Sequence, residues 1–184
     1  MARVLVPLAQ GFEELEAVTI VDLLRRGGIE VVTAGLVAEP VTASRGTTLV
    51  PDTTLDDVAD ASFDMVVLPG GQPGAANLDA DARIHRLLQR QASEGLWCAA
   101  ICAAPLVLAG AGLLEGRAAT SYPGALDVAK HPNIRLREDP VVTDGKIVTS
   151  RGPGTAMDFA LHLIELLAGR ARRDEVETKL LRPS

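Results

Sequence analysis

Short runs of branched apolar residues alternate with stretches of helical period along this chain, and that alternation restricts its fold more than any other feature. "ARVLVPLA" at 2–9, "IEVVTAGL" at 29–36, "DMVVLPGG" at 64–71, Trp97–Ile101 and "GKIVTS" at 145–150 have the length and composition of buried strands. Between the first two, "EELEAVTIVDLLRRGG" puts Ala17, Ile20, Val21 and Leu24 on one helical face, and Gly27-Gly28 stops the helix. "DARIHRLLQRQASEG" is a second amphipathic helix. "GPGTAMDFALHLIELLAG" is a third, with Ala156, Phe159, Ala160, Leu163, Ile164 and Leu167 on its stripe. Strands joined by helices cross over right-handedly into a parallel sheet covered on both faces. A doubly wound α/β sheet is therefore expected, with its ligand at the carboxyl ends of the strands where strand order reverses. Weaker patterns at 41–60 and 117–146 predict short hairpins and a small helix from Ala125 to Lys130. No repeat, low-complexity segment or linker divides the chain, so residues 1–184 are expected to form one domain.

The longest uncharged stretch, the nineteen residues from Leu96 to Leu114, has the length of a membrane span. Its composition argues against one. Six alanines contribute little transfer energy, Pro105 interrupts the middle, and Gly110 and Gly112 weaken any continuous helix. A buried strand, Trp97–Ile101, followed by a buried helix from Ala104 to about Ala111 accommodates the proline in the helix's first turn. Cys102 then falls on the turn between them.

Composition excludes several classes of partner. A net charge of −6 and a pI near 5.1 oppose binding to nucleic acid, whose affinity rests on Lys and Arg neutralising phosphates. Arg25-Arg26 and the cluster Arg170–Arg173 are short and read as solvated helix ends. "MARVLVPLAQ" makes a poor secretory signal, and two cysteines without an export signal point to the cytoplasm. The three histidines and two separated cysteines give no zinc spacing, so no metal is expected. His85 and His162 fall on the polar faces of their helices and His131 precedes Pro132, so all three are read as surface residues.

Cys102 has two readings. A free cysteine is often a small buried hydrophobe. At a helix N-terminus, however, unpaired N–H groups and the dipole favour thiolate, and a shift from ~8.5 toward ~7 makes the anion abundant at neutral pH. Ala100, Ala103 and Ala104 leave room for a tight turn that exposes the sulfur, as in a nucleophile elbow, though the flanking glycines of the hydrolase version are missing. Cys98, four residues back on the same strand and so read as lying on the same face about 13 Å away, is beyond disulfide reach and is assigned to packing beside Trp97.

"LAQGFEELEAVTIVDLLRRGGIEV", "VVLPGG", "AAICAAP" and "TSRGPGTAMDFAL", in this order and spacing, resemble the ThiJ/PfpI superfamily, in its Parkinsonism-associated deglycase (DJ-one-like) branch. The resemblance covers essentially the whole chain and matches four separate segments in register. It implies a flavodoxin-like, class I glutamine amidotransferase-like α/β fold, a homodimer, no cofactor, and a reactive cysteine. Carried over position by position, Cys102 is the nucleophile and Glu16 its carboxyl partner. Gly70, Gly71 and the N–H of Ala103 form the anion or oxyanion pocket. Arg45, Tyr122, Arg151, Gly152 and Pro153 lie at the pocket or the dimer interface. The implied activity is glutathione-independent detoxification of methylglyoxal, or repair of its early protein adducts, with a small aldehyde or a glycated protein as substrate. Similar proteins are also described as oxidative-stress sensors with chaperone activity.

The chemistry of Glu16 can be stated from the residues. An ionised carboxyl beside the sulfur opposes thiolate formation, so the expected working state pairs a protonated Glu16 with an ionised Cys102. Glu13 and Glu14 are read only as favouring a helix N-terminus, whereas Glu16 borders Ile20 and the buried stripe. Two departures limit the resemblance. Tyr122 stands where several relatives carry histidine, and Ala103 stands where the protease-like branch has histidine after the cysteine. With no His-x-Glu in the chain, peptidase and glutaminase activities are not expected. A redox sensor whose Cys102 oxidises to a sulfinate is the alternative function, and a small-molecule binding module with an incidental cysteine is a third.

Overall fold

The structure is a computed structural model that describes residues 1–127 and 129–182. In chain order its strands and helices are β1 (Arg3–Leu8), α1 (Glu14–Arg26), β2 (Glu30–Gly35), β3 (Val41–Thr42), β4 (Thr48–Leu49), β5 (Thr53–Thr54), β6 (Met65–Leu68), α2 (Gly74–Ala80), α3 (Ala82–Ser93), β7 (Trp97–Ile101), α4 (Pro105–Gly110), β8 (Ala118–Ala119), β9 (Arg135–Leu136), β10 (Val141–Asp144), β11 (Ile147–Ser150), α5 (Ala156–Ala168) and α6 (Arg170–Leu180). Seven strands form one sheet in the order β10-β11-β7-β6-β1-β2-β5. All neighbours are parallel except the edge hairpin β10–β11. This is the doubly wound α/β sheet that the alternating pattern predicts, in the flavodoxin-like form that the resemblance implies.

Side-chain alternation along the strands divides the core in two. Val4, Val6, Leu8, Met65, Val67, Ala99 and Ile101 face one way and pack under α1 and α5. Leu5, Val66, Leu68, Cys98 and Ala100 face the other way and pack under α3 and α4. On α1 the buried stripe is Glu16, Ala17, Ile20, Leu23 and Leu24, with an acidic first turn and Arg25 and Arg26 in the last, which suits the helix dipole at both ends. Glu16 is thus carried into the core by the same periodicity that buries Ile20. Among the described residues no helix is long and apolar enough to cross a membrane, and the uncharged stretch is split between β7 and α4.

Two expectations need correction. Residues 125–127 and 129–130 lie in turns and irregular backbone, not in a small helix. Pro123 and Gly124 favour a turn, and Asp127 Oδ1 accepts the Ala129 N–H at 3.0 Å, a local bond that competes with helical pairing; Val128 lies outside the described residues. Cys98 and Cys102 do not share a face, because they belong to opposite cores. The chain leaves strand geometry at Cys102, whose φ is +64°, and this ends the two-residue parity on which the shared face depended.

Candidate active site

Strand order reverses between β1 and β6, so the loops leaving their carboxyl ends diverge and open a crevice. The loop after β1 is pinned to that after β6 by the Glu13 N–H donating to the Gly70 carbonyl at 2.9 Å and the Gly74 N–H to Gly11 at 3.2 Å. Cys102 ends β7 beside them. Its N–H donates to the Ser150 carbonyl at 3.0 Å, its carbonyl accepts the Tyr122 N–H at 2.8 Å, and the Ala104 N–H closes the turn on Ile101 at 3.0 Å. Held on three sides, Cys102 stays in the left-handed region that a side-chain-bearing residue rarely adopts.

Gly70 is the close approach that lets acid and thiol meet. A methyl group there would lie 2.7 Å from Cys102 Cβ and 2.8 Å from Glu16 Oε2. Its N–H instead donates to Glu16 Oε2 at 2.8 Å. Gly71 is more constrained still, with φ +92° and a would-be Cβ 2.7 Å from Gly11 O and Phe12 C and closer to Glu13 N. These are backbone atoms and cannot move aside. Gly71→Ala should therefore destabilise the fold by about 2–5 kcal/mol. Gly95→Ala, also at positive φ (+69°) but with open space around it, should lose only about 1–2 kcal/mol. Urea midpoints of the two variants test this, and equal losses would contradict it.

Glu16 is fully buried. Burial pushes its carboxyl up to about 7, with the Glu13 charge adding to the shift, against the bonds from Cys102 and Gly70 that favour the carboxylate. Its Oε1 finds no well-aligned hydrogen-bond partner, while the Cys102 thiol is close enough to couple to the carboxyl. Burial pushes the thiol up to about 12, and the charge of Glu16 contributes; the N–H groups of Gly71 and Ala103 pull the other way. Desolvation of the sulfur therefore opposes the thiolate that the helix N-terminus favours. The helix behind Cys102 is only six residues long, so its dipole is small, and desolvation of the sulfur outweighs it. Burial thus pushes both groups toward their neutral forms, and the charge of Glu16 opposes that of the sulfur.

Cys102, Glu16, Gly70, Gly71 and Ala103 are thus gathered at one point. Tyr122 is joined to it through its N–H to the Cys102 carbonyl, and a Cβ on Gly152 would lie 3.4 Å from the Tyr122 ring. Pro153 begins the short 3-10 turn 153–155, and the Gly152 N–H caps on Thr155 Oγ1 at 3.1 Å. Arg45 and Arg151 arrive differently. Arg45 is exposed at the β3–β4 tip, held through its N–H by Glu14, and the Arg151 guanidinium donates to the Glu138 carbonyl.

Glu13 and Glu14 do more than favour a helix start. Glu13 Oε2 accepts Ser44 Oγ–H at 2.9 Å, and Glu14 accepts the N–H groups of Arg45 and Thr47, so both acids strap the hairpin tip over the start of α1. Partners thirty residues away leave no local signal in the sequence. Ser150, which anchors the Cys102 N–H, was also missed; its place next to the Arg151-Gly152-Pro153-Gly154 loop was the available hint. His85 and His162 are partly buried, bonded to Asp79 and Thr143, and serve neither Cys102 nor Glu16. Among the described residues no cluster of three His, Cys, Asp or Glu side chains could hold a metal ion.

A sequence profile described as the DJ-1/PfpI family matches residues 2–166. The chain is 46% identical over 178 residues to Protein dj-1beta of Drosophila melanogaster, covering 96% of this chain and 95% of that protein. It is 44% identical to Protein DJ-1 homolog A of Arabidopsis thaliana over 98% of this chain, which spans about half (47%) of that longer relative. It is also 37% identical to Glutathione-independent glyoxalase DJR-1.2 of Caenorhabditis elegans, over 99% of this chain and 94% of the relative. Among solved structures, Drosophila DJ-1beta superposes with a TM-score of 0.94 at 44% identity, covering 100% of this chain and 99% of that one. Oxidized Toxoplasma gondii DJ-1 superposes with a TM-score of 0.92 at 38% identity, with both chains fully covered.

Proposed function

This chain belongs to the DJ-1/PfpI family, and from that premise we propose that it converts methylglyoxal, or the early adducts methylglyoxal forms on proteins, without glutathione. One observation carries the reading: a thiol on left-handed backbone meets, across Gly70, a fully buried acid whose pKa is pushed to about 7. A relative bearing the name glutathione-independent glyoxalase supports it.

Cys102 Sγ adds to the aldehyde carbon, forming a C–S bond, and the thiol proton passes to Glu16. An acid with a pKa near working pH suits this transfer, so no standing thiolate is needed. The N–H groups of Gly71 and Ala103 hold the developing oxyanion. Glu16 returns that proton to the adduct's oxygen, giving the hemithioacetal. It then takes the C1 proton and delivers it to C2 while the hydroxyl proton passes from the C1 oxygen to the C2 oxygen, which gives a lactoyl thioester. Water cleaves the thioester to lactate and restores the thiol. Cys102 takes the place of glutathione, and no oxidant or cofactor enters. The test is lactate release from methylglyoxal by the unaltered chain beside Cys102→Ser and Glu16→Gln. Loss of the proton carrier should lower turnover about 10²–10⁴-fold. Equal lactate from all three, or none from any, overturns the reading.

A second reading is favoured by the same N–H pair, which can equally hold the oxygens of a sulfinate on Cys102, with a protonated Glu16 as donor. A redox sensor of this kind should take up two oxygens, about 32 Da, at Cys102 under mild peroxide, and Cys98, buried in the other core, should remain a thiol. Mass spectrometry of the two peptides decides it; equal oxidation at both cysteines would remove the selectivity this reading needs. The exposed apolar residues Leu15, Val18 and Val50, on α1 and just past β4, are where a second copy would pack in the homodimer the family resemblance implies.

A further inference from the structure

The chain holds five aromatic residues, and only one offers its ring to solvent. Phe12, Phe63 and Phe159 are buried, and Trp97 is partly covered, with the Lys146 ammonium 4.1 Å from its ring centroid. Tyr122 is 53% exposed. An isolated exposed apolar side chain needs no explanation by itself, but the position of this one does. Its N–H is fixed to the Cys102 carbonyl, and its ring lies beside Gly152, where an added Cβ would stand 3.4 Å from it. The backbone of Tyr122 is therefore tied to that of the nucleophile, and about half of its side chain is open to solvent beside the 152 turn.

We propose that Tyr122 is a specificity-determining wall that favours 2-oxoaldehydes and 2-oxoacids carrying a flat, unsaturated substituent over those carrying a methyl group. The proposal rests on the reading that Cys102 attacks such carbonyls. With the oxo group at Cys102 and its oxygen on the N–H groups of Gly71 and Ala103, the substituent has the Tyr122 ring as its apolar neighbour. Stacking of this kind gives about a 2- to 12-fold preference. Because the ring is remote from the bonds that change, the preference should appear in KM more than in kcat.

The experiment compares phenylglyoxal with methylglyoxal as substrates for the unaltered chain, Tyr122→Phe and Tyr122→Ala. The ratio of their kcat/KM values should favour phenylglyoxal, persist in Tyr122→Phe, and fall about 2- to 12-fold in Tyr122→Ala through KM. A purely structural role would weaken both substrates equally and leave the ratio unmoved, which overturns the proposal. A second measurement needs no turnover: protection of Cys102 from iodoacetamide by phenylglyoxylate against pyruvate. Phenylglyoxylate should protect at a several-fold lower concentration in the unaltered chain and in Tyr122→Phe, and lose that advantage in Tyr122→Ala. Absence of lactate with the protection difference intact would sink the glyoxalase reading alone. Equal protection by the two acids in the unaltered chain would sink the Tyr122 wall.

Discussion

Serine in place of Cys102 is expected to lower lactate formation from methylglyoxal by roughly 10³-fold or more, to the level of the buffer reaction. The substitution removes one polarisable atom and leaves the rest of the site standing. The Cys102 N–H still reaches Ser150, the carbonyl still takes the Tyr122 N–H, and Gly70 still bonds Glu16. The nucleophile is what changes. Burial already pushes the thiol up to about 12, so the site works only if the attacking atom surrenders its proton as it bonds to carbon. An alcohol holds its proton several units more tightly, and Glu16, pushed to about 7, is too weak a base to take it. Fold and anion pocket should survive, so the variant should melt within about 1 kcal/mol of the unaltered chain. Lactate at the unaltered rate from Cys102→Ser would remove Cys102 from the chemistry and the proposed function with it.

How far the sequence anticipates this site depends on which force dominates at each residue. Where burial follows one period, the pattern is readable: Glu16, one turn before Ile20, rides α1 into the core, and Pro105 marks the first residue of α4. Where backbone geometry departs from the regular element, pattern reasoning fails. The positive φ of Cys102 put Cys98 and Cys102 in opposite cores, although strand parity assigned them to one face. α6 escaped notice because its only buried residue is Val176 and the rest is a lattice of Arg–Glu and Arg–Asp pairs with no apolar stripe. α2 was hidden by Gly74 and its neighbours, which have weak helical signal, and it is held by packing against α4. The desolvation that pushes both Glu16 and Cys102 toward their neutral forms has no sequence signal, because burial is a tertiary property. The strap from Glu13 and Glu14 to the β3–β4 tip likewise exists only once distant segments meet.

Glutamine in place of Glu16 should make the fold more stable at alkaline pH while stripping it of activity, and the size of the gain should depend on pH in a defined direction. Glu16 titrates near 4.5 when unfolded and near 7 when folded, because burial disfavours its charge. The folded chain therefore binds a proton more tightly than the unfolded one. The stability this confers is complete below about pH 4.5 and is lost as pH rises through 7. Each pKa unit is worth about 1.4 kcal/mol, so between pH 5 and pH 8 the unaltered chain should lose about 2–3 kcal/mol on account of Glu16. Glutamine has no proton to exchange, keeps an oxygen for the Gly70 N–H, and turns an amide N–H toward the sulfur in place of the unpartnered Oε1. Other groups move the opposite way with pH, among them Asp52 and Glu14, which their hydrogen bonds hold below the usual range. They titrate identically in both proteins and cancel in the difference. Urea unfolding at pH 5, 6.5 and 8 should thus show Glu16→Gln gaining about 2–3 kcal/mol on the unaltered chain as pH rises. Parallel stability curves would mean that Glu16 titrates in the fold as it does in water, and an acid so placed could not be the proton carrier this site requires.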